Sequence, residues 1–102
     1  MTDYAIRVEF AMEFEWDDAK SERNRRERGF DFATAALIFD GPVQTTFDDR
    51  RDYSEERVIA IGEINGEVVV VVYTDRGQVR RIISARRANR KERETWRLFA
   101  RR

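Results

Sequence analysis

The dipeptide Asn65-Gly66 constrains the fold of this chain more than any other feature. It separates two runs, Arg57 to Ile64 and Glu67 to Thr74, that are rich in β-branched and apolar residues. Asn-Gly readily takes the positive φ angles of a two-residue hairpin turn, so the two runs pair antiparallel. Val68 to Val72 is apolar without alternation, which predicts a central strand covered on both faces. Val43 to Phe47 precedes the hairpin as another strand, across the charged loop Asp48-Asp49-Arg50-Arg51-Asp52. Val79 to Ala85 follows it, after the turn Asp75-Arg76-Gly77-Gln78.

Upstream, residues 4–16 alternate strictly. Tyr4, Ile6, Val8, Phe10, Met12, Phe14 and Trp16 point one way, with mostly polar residues between them. That is the period of a half-buried strand, long enough to predict a bend or bulge midway. Asp17 or Asp18 caps a helix that Gly29 closes in the left-handed region. Its body is almost devoid of apolar residues, so it lies on the surface. Asp31 caps a second helix, in which Phe32, Ala35, Ala36 and Phe39 form a buried stripe until Asp40-Gly41-Pro42 stops it. Asn89 and Glu92 make a capping box for a C-terminal helix whose Trp96 and Phe99 face the core. The expected fold is α+β: an antiparallel sheet with two N-terminal helices and one C-terminal helix, the helices packed on one face. At 102 residues it is one domain.

The chain has neither cysteine nor histidine. Disulfides, thiolate metal sites, Ser-His-Asp triads and imidazole ligands are therefore excluded, and a cytoplasmic setting is the expectation. No apolar run approaches the ~20 residues of a membrane span, and Met1-Thr2-Asp3-Tyr4 does not open like a signal peptide. Net charge is zero, but it is unevenly spread. Residues 1–75 carry 9 Lys/Arg against 18 Asp/Glu, and residues 76–102 carry 11 against 2. A basic segment of this kind suits an anionic partner, nucleic acid first.

In the last strand, strict alternation would set Arg80, Ile82, Ser84 and Arg86 on one face and Arg81 on the other. With Arg87 and Arg90 just beyond, Arg80, Arg81 and Ser84 form a candidate RNA-binding surface. Guanidinium forks match phosphate oxygens two at a time. RNA cleavage needs a base for the 2′-hydroxyl, positive charge for the crowded phosphorane, and an acid for the leaving 5′-oxygen. Without histidine, Glu55 is the candidate base and Lys20 or Tyr53 the candidate acid. Arg57, Arg76 and Arg86 are candidates for the oxyanion clamp. The expectation is of no metal and no cofactor.

Several segments together resemble the BrnT family of toxins. They are Phe14-Glu15-Trp16-Asp17 with Lys20, Asn24 and Gly29; Phe32, Ala35 and Phe39-Asp40; and Tyr53-Ser54-Glu55-Glu56-Arg57 running into Ile59-Ala60-Ile61-Gly62. Val71-Val72-Tyr73-Thr74-Asp75-Arg76 and Arg81-Ile82-Ile83-Ser84-Ala85-Arg86-Arg87-Ala88 with Glu92 complete the pattern. The resemblance spans residues 12–97. It implies a RelE-like fold and a ribonuclease of a type II toxin–antitoxin pair that cuts RNA and halts growth. It also implies a BrnA-like antitoxin with a ribbon-helix-helix DNA-binding region, with which the toxin represses its own operon; operator DNA is then touched only through the antitoxin. Residues 12–102 form the toxin domain, and residues 1–11 an extension that supplies an extra strand or an edge for a partner. Two departures stand out: Glu27-Arg28-Gly29 occupies the place of the usual Lys-His-Gly, and Ser54 that of a frequent Gly. The first leaves an alternative, a catalytically inactive domain that acts only as co-repressor with a DNA-binding partner.

Overall fold

The computed structural model of the chain describes residues 12–50 and 54–101. The elements are β1 (Glu13–Trp16), α1 (Asp18–Arg28), α2 (Phe32–Ala35) running into a 3-10 segment (Ala36–Asp40), β2 (Gln44–Phe47), β3 (Val58–Ile64), β4 (Glu67–Arg76), β5 (Val79–Arg87) and α3 (Arg90–Ala100). The expected extra strand over Tyr4 to Phe10 lies outside the described residues. The α+β expectation holds, with one sheet in the order β1-β5-β4-β3-β2. Antiparallel pairing links β2 through β5, while β1 joins β5 in parallel, so the sheet is mixed. None of the described helices is long and apolar enough to cross a membrane.

Local chemistry accounts for the boundaries. Asp17 accepts the Lys20 N–H at 3.0 Å to open α1, and Gly29, at φ 89°, closes it. Asp31 accepts from Thr34 N–H at 2.8 Å, and these bonds hold its carboxyl below the usual aspartate range. Asn65 (φ 51°) and Gly66 (φ 83°) form the hairpin turn. Asn89 and Glu92 satisfy each other's backbone N–H groups at the start of α3. The second helix departs from expectation after a single turn by tightening into a 3-10 segment. Its fully buried residues, Phe32, Ala35 and Ile38, are spaced by three, which is the period of that tighter coil.

β4 has apolar layers on both sides, as a central strand requires. Val69, Val71 and Tyr73 pack with Phe32, Ala35, Ile38, Ile82 and Ala85 under α2 and the 3-10 segment. Val68 and Val70 pack on the opposite face with Ala88 and Trp96 of the C-terminal region. The helices therefore do not share one face. α3 covers only one end of the second face, because Trp96 and Phe99 are its only apolar residues turned inward. Each such buried side chain contributes about 1.5–3 kcal/mol, so Trp96 and the valines beneath it hold α3 down.

Strict alternation fails at one point in β5. Val72 pairs with Ser84 and Tyr73 with Ile82, leaving Ile83 as an extra residue, a β-bulge. Ile82 and Ala85 consequently face the same core. Beyond the bulge every side chain changes face: Ser84 and Arg86 join Arg81 on the second face, while Arg80 and Arg87 look toward the first.

Candidate functional site

The second face of the sheet is open where α3 ends. Val72, Ile83 and Ser84 floor a cleft of about 600 Å³. One wall is α1, presenting Lys20, Arg23, Asn24 and Glu27 with Arg28 behind them. The first four are spaced i, i+3, i+4 and i+7, a single helical stripe. The other wall is the connection between β2 and β3, with Asp48, Arg50 and Arg57. A smaller recess of about 180 Å³ continues from the cleft, sharing Lys20, Arg57 and Ile83 with it and adding Glu55, Thr74, Arg76 and Arg81.

Hydrogen bonds hold the walls. The Asp48 carboxylate is fully buried and receives the Arg50 guanidinium through two bonds of 2.7 and 2.9 Å. Asp48 N–H donates to Arg57 O at 2.8 Å, drawing together the two ends of the β2–β3 connection. Thr74 Oγ1 donates to Glu56 O at 2.8 Å and anchors the segment that carries Glu55 and Arg57. Glu55 lies between two cations, 3.4 Å from Arg57 Nη2 and 3.7 Å from Arg76 Nη2. On the α1 side, Arg28 Nη1 donates to Asn24 Oδ1 at 3.1 Å and to Ala85 O at 2.8 Å.

Lys20, Glu55, Arg57 and Arg76 thus come together at the cleft and its recess, with Arg81 and Ser84 on the floor and side. Tyr53 lies outside the described residues. Arg86 stands on the open face, but its guanidinium makes two 2.8 Å bonds to Glu92, close enough to Arg50 to feel its charge. These bonds hold the Glu92 carboxyl below its usual range and push Arg86 up. Arg81 reaches Glu15 at 3.3 Å.

Three expected RNA-binding arginines lie away from the cleft. Arg80, on the first face with Ile82 and so parted by the bulge from Ser84 and Arg86, sits 4.1 Å over the Tyr73 ring and 4.7 Å from that of Phe39, with Asp75 bound bidentately. The hydrogen bonds that Arg80 donates to Asp75 push its pKa up, and burial pushes the Tyr73 phenol up. Arg87 binds Glu67 and the end of α1. Arg90 is highly exposed on α3, 3.3 Å from Glu94.

Arg23, Arg50 and Asp48 were not singled out from sequence as site residues, whereas Arg28 stood out as a departure from the family pattern. The helical stripe from Lys20 to Glu27 was a readable signal for the first. Arg50 and Asp48 had none, because a loop's tertiary placement leaves no local periodicity.

Five cations, Lys20, Arg23, Arg28, Arg50 and Arg57, line the cleft against the carboxylates of Glu27 and Asp48. Such a site attracts a polyanion and can grip phosphate oxygens bidentately. Among the described residues no group of three or more Asp or Glu side chains is arranged to hold a metal ion. Residues 16–92 match the family described as "Ribonuclease toxin, BrnT, of type II toxin-antitoxin system". No curated protein matches the chain.

Proposed function

The chain belongs to the BrnT ribonuclease toxins of type II toxin–antitoxin systems, and we propose that it cuts RNA endonucleolytically in the cleft between α1 and the open half of the sheet. The observation that carries this reading is the meeting of Lys20, Arg57 and Glu55 where cleft and recess join. Glu55 takes the proton from a ribose 2′-hydroxyl. The freed O2′ attacks phosphorus, the O2′–P bond forms and the P–O5′ bond breaks. Lys20 or Tyr53 gives a proton to the leaving O5′. The products are a 2′,3′-cyclic phosphate and a 5′-hydroxyl, so the phosphate bears one negative charge before and after. No metal takes part in this scheme.

Arg57 stabilises the phosphorane charge, which is greater in the transition state than in the bound substrate. Arg76 steadies Glu55 and, with Arg86 farther along the same open face of the sheet, grips the flanking phosphates; Arg23, Arg28, Arg50 and Arg81 add to the positive field. Ser84 donates to a phosphate or ribose oxygen. In the cell this activity halts growth in the cytoplasm until an antitoxin binds. We assign that partner to the BrnA-like ribbon-helix-helix class, which brings the toxin to its own operator.

The test uses the purified full chain, freed of antitoxin, with single-stranded RNA. Wild type should produce cyclic-phosphate ends. Lys20→Ala and Arg57→Ala should each lower the rate about a hundredfold, the usual cost of losing a proton donor or an oxyanion contact. Variants that cut like wild type would remove these residues from the reaction.

Arg28 favours a second reading. Its guanidinium is engaged in hydrogen bonds to Asn24 and the Ala85 carbonyl, and a guanidinium offers donors but no acceptor. A chain that relies on that position for a proton would be an inactive co-repressor. Intact RNA beside wild-type protein that still joins the antitoxin on operator DNA would establish it.

A further inference from the structure

The helix that forms one cleft wall has no apolar seat. Ala19 is the only apolar residue between Asp18 and Arg28, and the buried side chains of α1 are Ser21 and Asn24. Directional polar bonds therefore hold the helix in place. Ser21 Oγ accepts from Phe32 N–H at 3.0 Å, and Asn24 Nδ2 donates to Phe30 O at 2.9 Å. Two further bonds cross between α1 and β5 in opposite directions. Arg28 Nη1 donates to the Ala85 carbonyl of β5, and Arg87 Nη1 donates to the Arg28 carbonyl of α1.

Arg87 is held on three sides as it does this. Its Nε donates to Glu67 Oε2 at 2.8 Å, and its guanidinium carbon lies 5.1 Å from the centre of the Phe30 ring. It passes beside Gly29, where a Cβ would stand 3.6 Å from Nη2. The Arg28 carbonyl is one of those left without an intrahelical partner at a helix end, where the dipole is negative and a cation is favoured.

We infer that Arg87 is a positioning residue. It closes a two-arginine latch that fixes the last turns of α1 at the depth where Arg28, Arg23 and Lys20 face the cleft, and it makes no contact with RNA. This rests on the cleft being the cleavage site. Lysine keeps the charge at position 87 but lacks the planar fork that spans a carbonyl and a carboxylate at once.

The experiment compares wild type, Arg87→Lys and Arg87→Ala as full chains, with Glu67→Gln as a milder cut of the same latch. Both Arg87 variants should lose about tenfold or more in kcat, as displaced catalytic groups do. KM and the salt dependence of RNA binding should stay as in wild type, and Lys should not rescue. Backbone amides of the last turn of α1 should exchange at least about tenfold faster in both, and Glu67→Gln should move the same way by less. A raised KM, a binding slope against salt shallower by roughly 0.7 in Arg87→Ala, and rescue by Lys would mean a phosphate contact and overturn the inference. So would unchanged exchange in α1. Faster exchange in a chain whose wild type cuts no RNA would instead sink the proposed function and leave the latch standing.

Discussion

Arg86→Ala is the perturbation whose cost the structure defines best. Arg86 gives Glu92 two bonds of 2.8 Å, and Glu92 at the same time accepts the Asn89 N–H that starts α3. Hydrogen bonds to charged groups are worth about 1.5–3 kcal/mol each when sheltered, whereas exposed ion pairs give about 0.2–1 kcal/mol. Here the side chains are 45% and 24% exposed, so the pair falls between those limits. Removing Arg86 should therefore cost about 1–2 kcal/mol. At about 4–8 °C per kcal/mol for a domain this small, the melting temperature should drop by roughly 4–16 °C. The effect has a pH signature. The folded-state pKa of Glu92 is depressed below its ordinary 4.5, chiefly by Arg86. Its contribution is thus complete above that value and fades as pH falls through the lower folded value. Arg86 shifts upward, chiefly through its hydrogen bonds to Glu92, and adds no window in the accessible range. Urea denaturation of wild type and Arg86→Ala at pH 7 and at about pH 3 checks this. Equal midpoints at pH 7, or a difference that survives acid undiminished, would refute the reasoning.

Three other outcomes follow from the packing and the charge. Gly62→Ala would set a Cβ 2.8 Å from Ile38 Cβ, a collision between atoms close to both backbones; it should lower stability by about 1–3 kcal/mol, read from the urea midpoint. Trp96→Phe removes the 2.7 Å bond from the indole N–H to Glu63 and should cost about 1–2 kcal/mol, with Glu63→Gln retaining most of the stability as a check on that bond. RNA binding by wild type should weaken steeply with salt. Three to five phosphate contacts at roughly −0.7 each predict a log–log slope of about −2 to −3.5, and a flat response by fluorescence anisotropy would deny the cleft its role.

Much of the fold was legible because local chemistry governs it. The Asn65-Gly66 turn, the Asp17, Asp31 and Asn89 caps and the Gly29 stop each act within a few residues. The α+β class and the central place of Val68–Val72 followed from periodicity alone. The side of the sheet that α3 covers was not legible, since an amphipathic helix fits either apolar face of β4. Nor was the open face of β5: alternation carries an alignment forward only while the pairing stays regular, and nothing around Ile83 announces a bulge. The site divides along the same line. Lys20, Glu55 and Arg57 stood out by residue type and resemblance, whereas Arg50 enters the cleft through the fold of a loop. The concentrated positive charge of residues 76–102 is partly turned toward the protein's own carboxylates. Arg80, Arg87 and Arg90 each have an acidic partner within the protein, and the charge facing the cleft comes mainly from α1.

The unpaired Ile83 acts as a frame marker for two neighbouring, chemically identical arginines. Were Ile83 drawn into regular pairing, Arg86 would turn inward toward Phe30 and Arg87 outward toward solvent, with no change in either side chain. A relative that lacks this residue keeps both arginines on their present faces, whereas one that retains it in regular pairing exchanges their tasks. Comparing such sequences column by column would then assign each arginine the other's role.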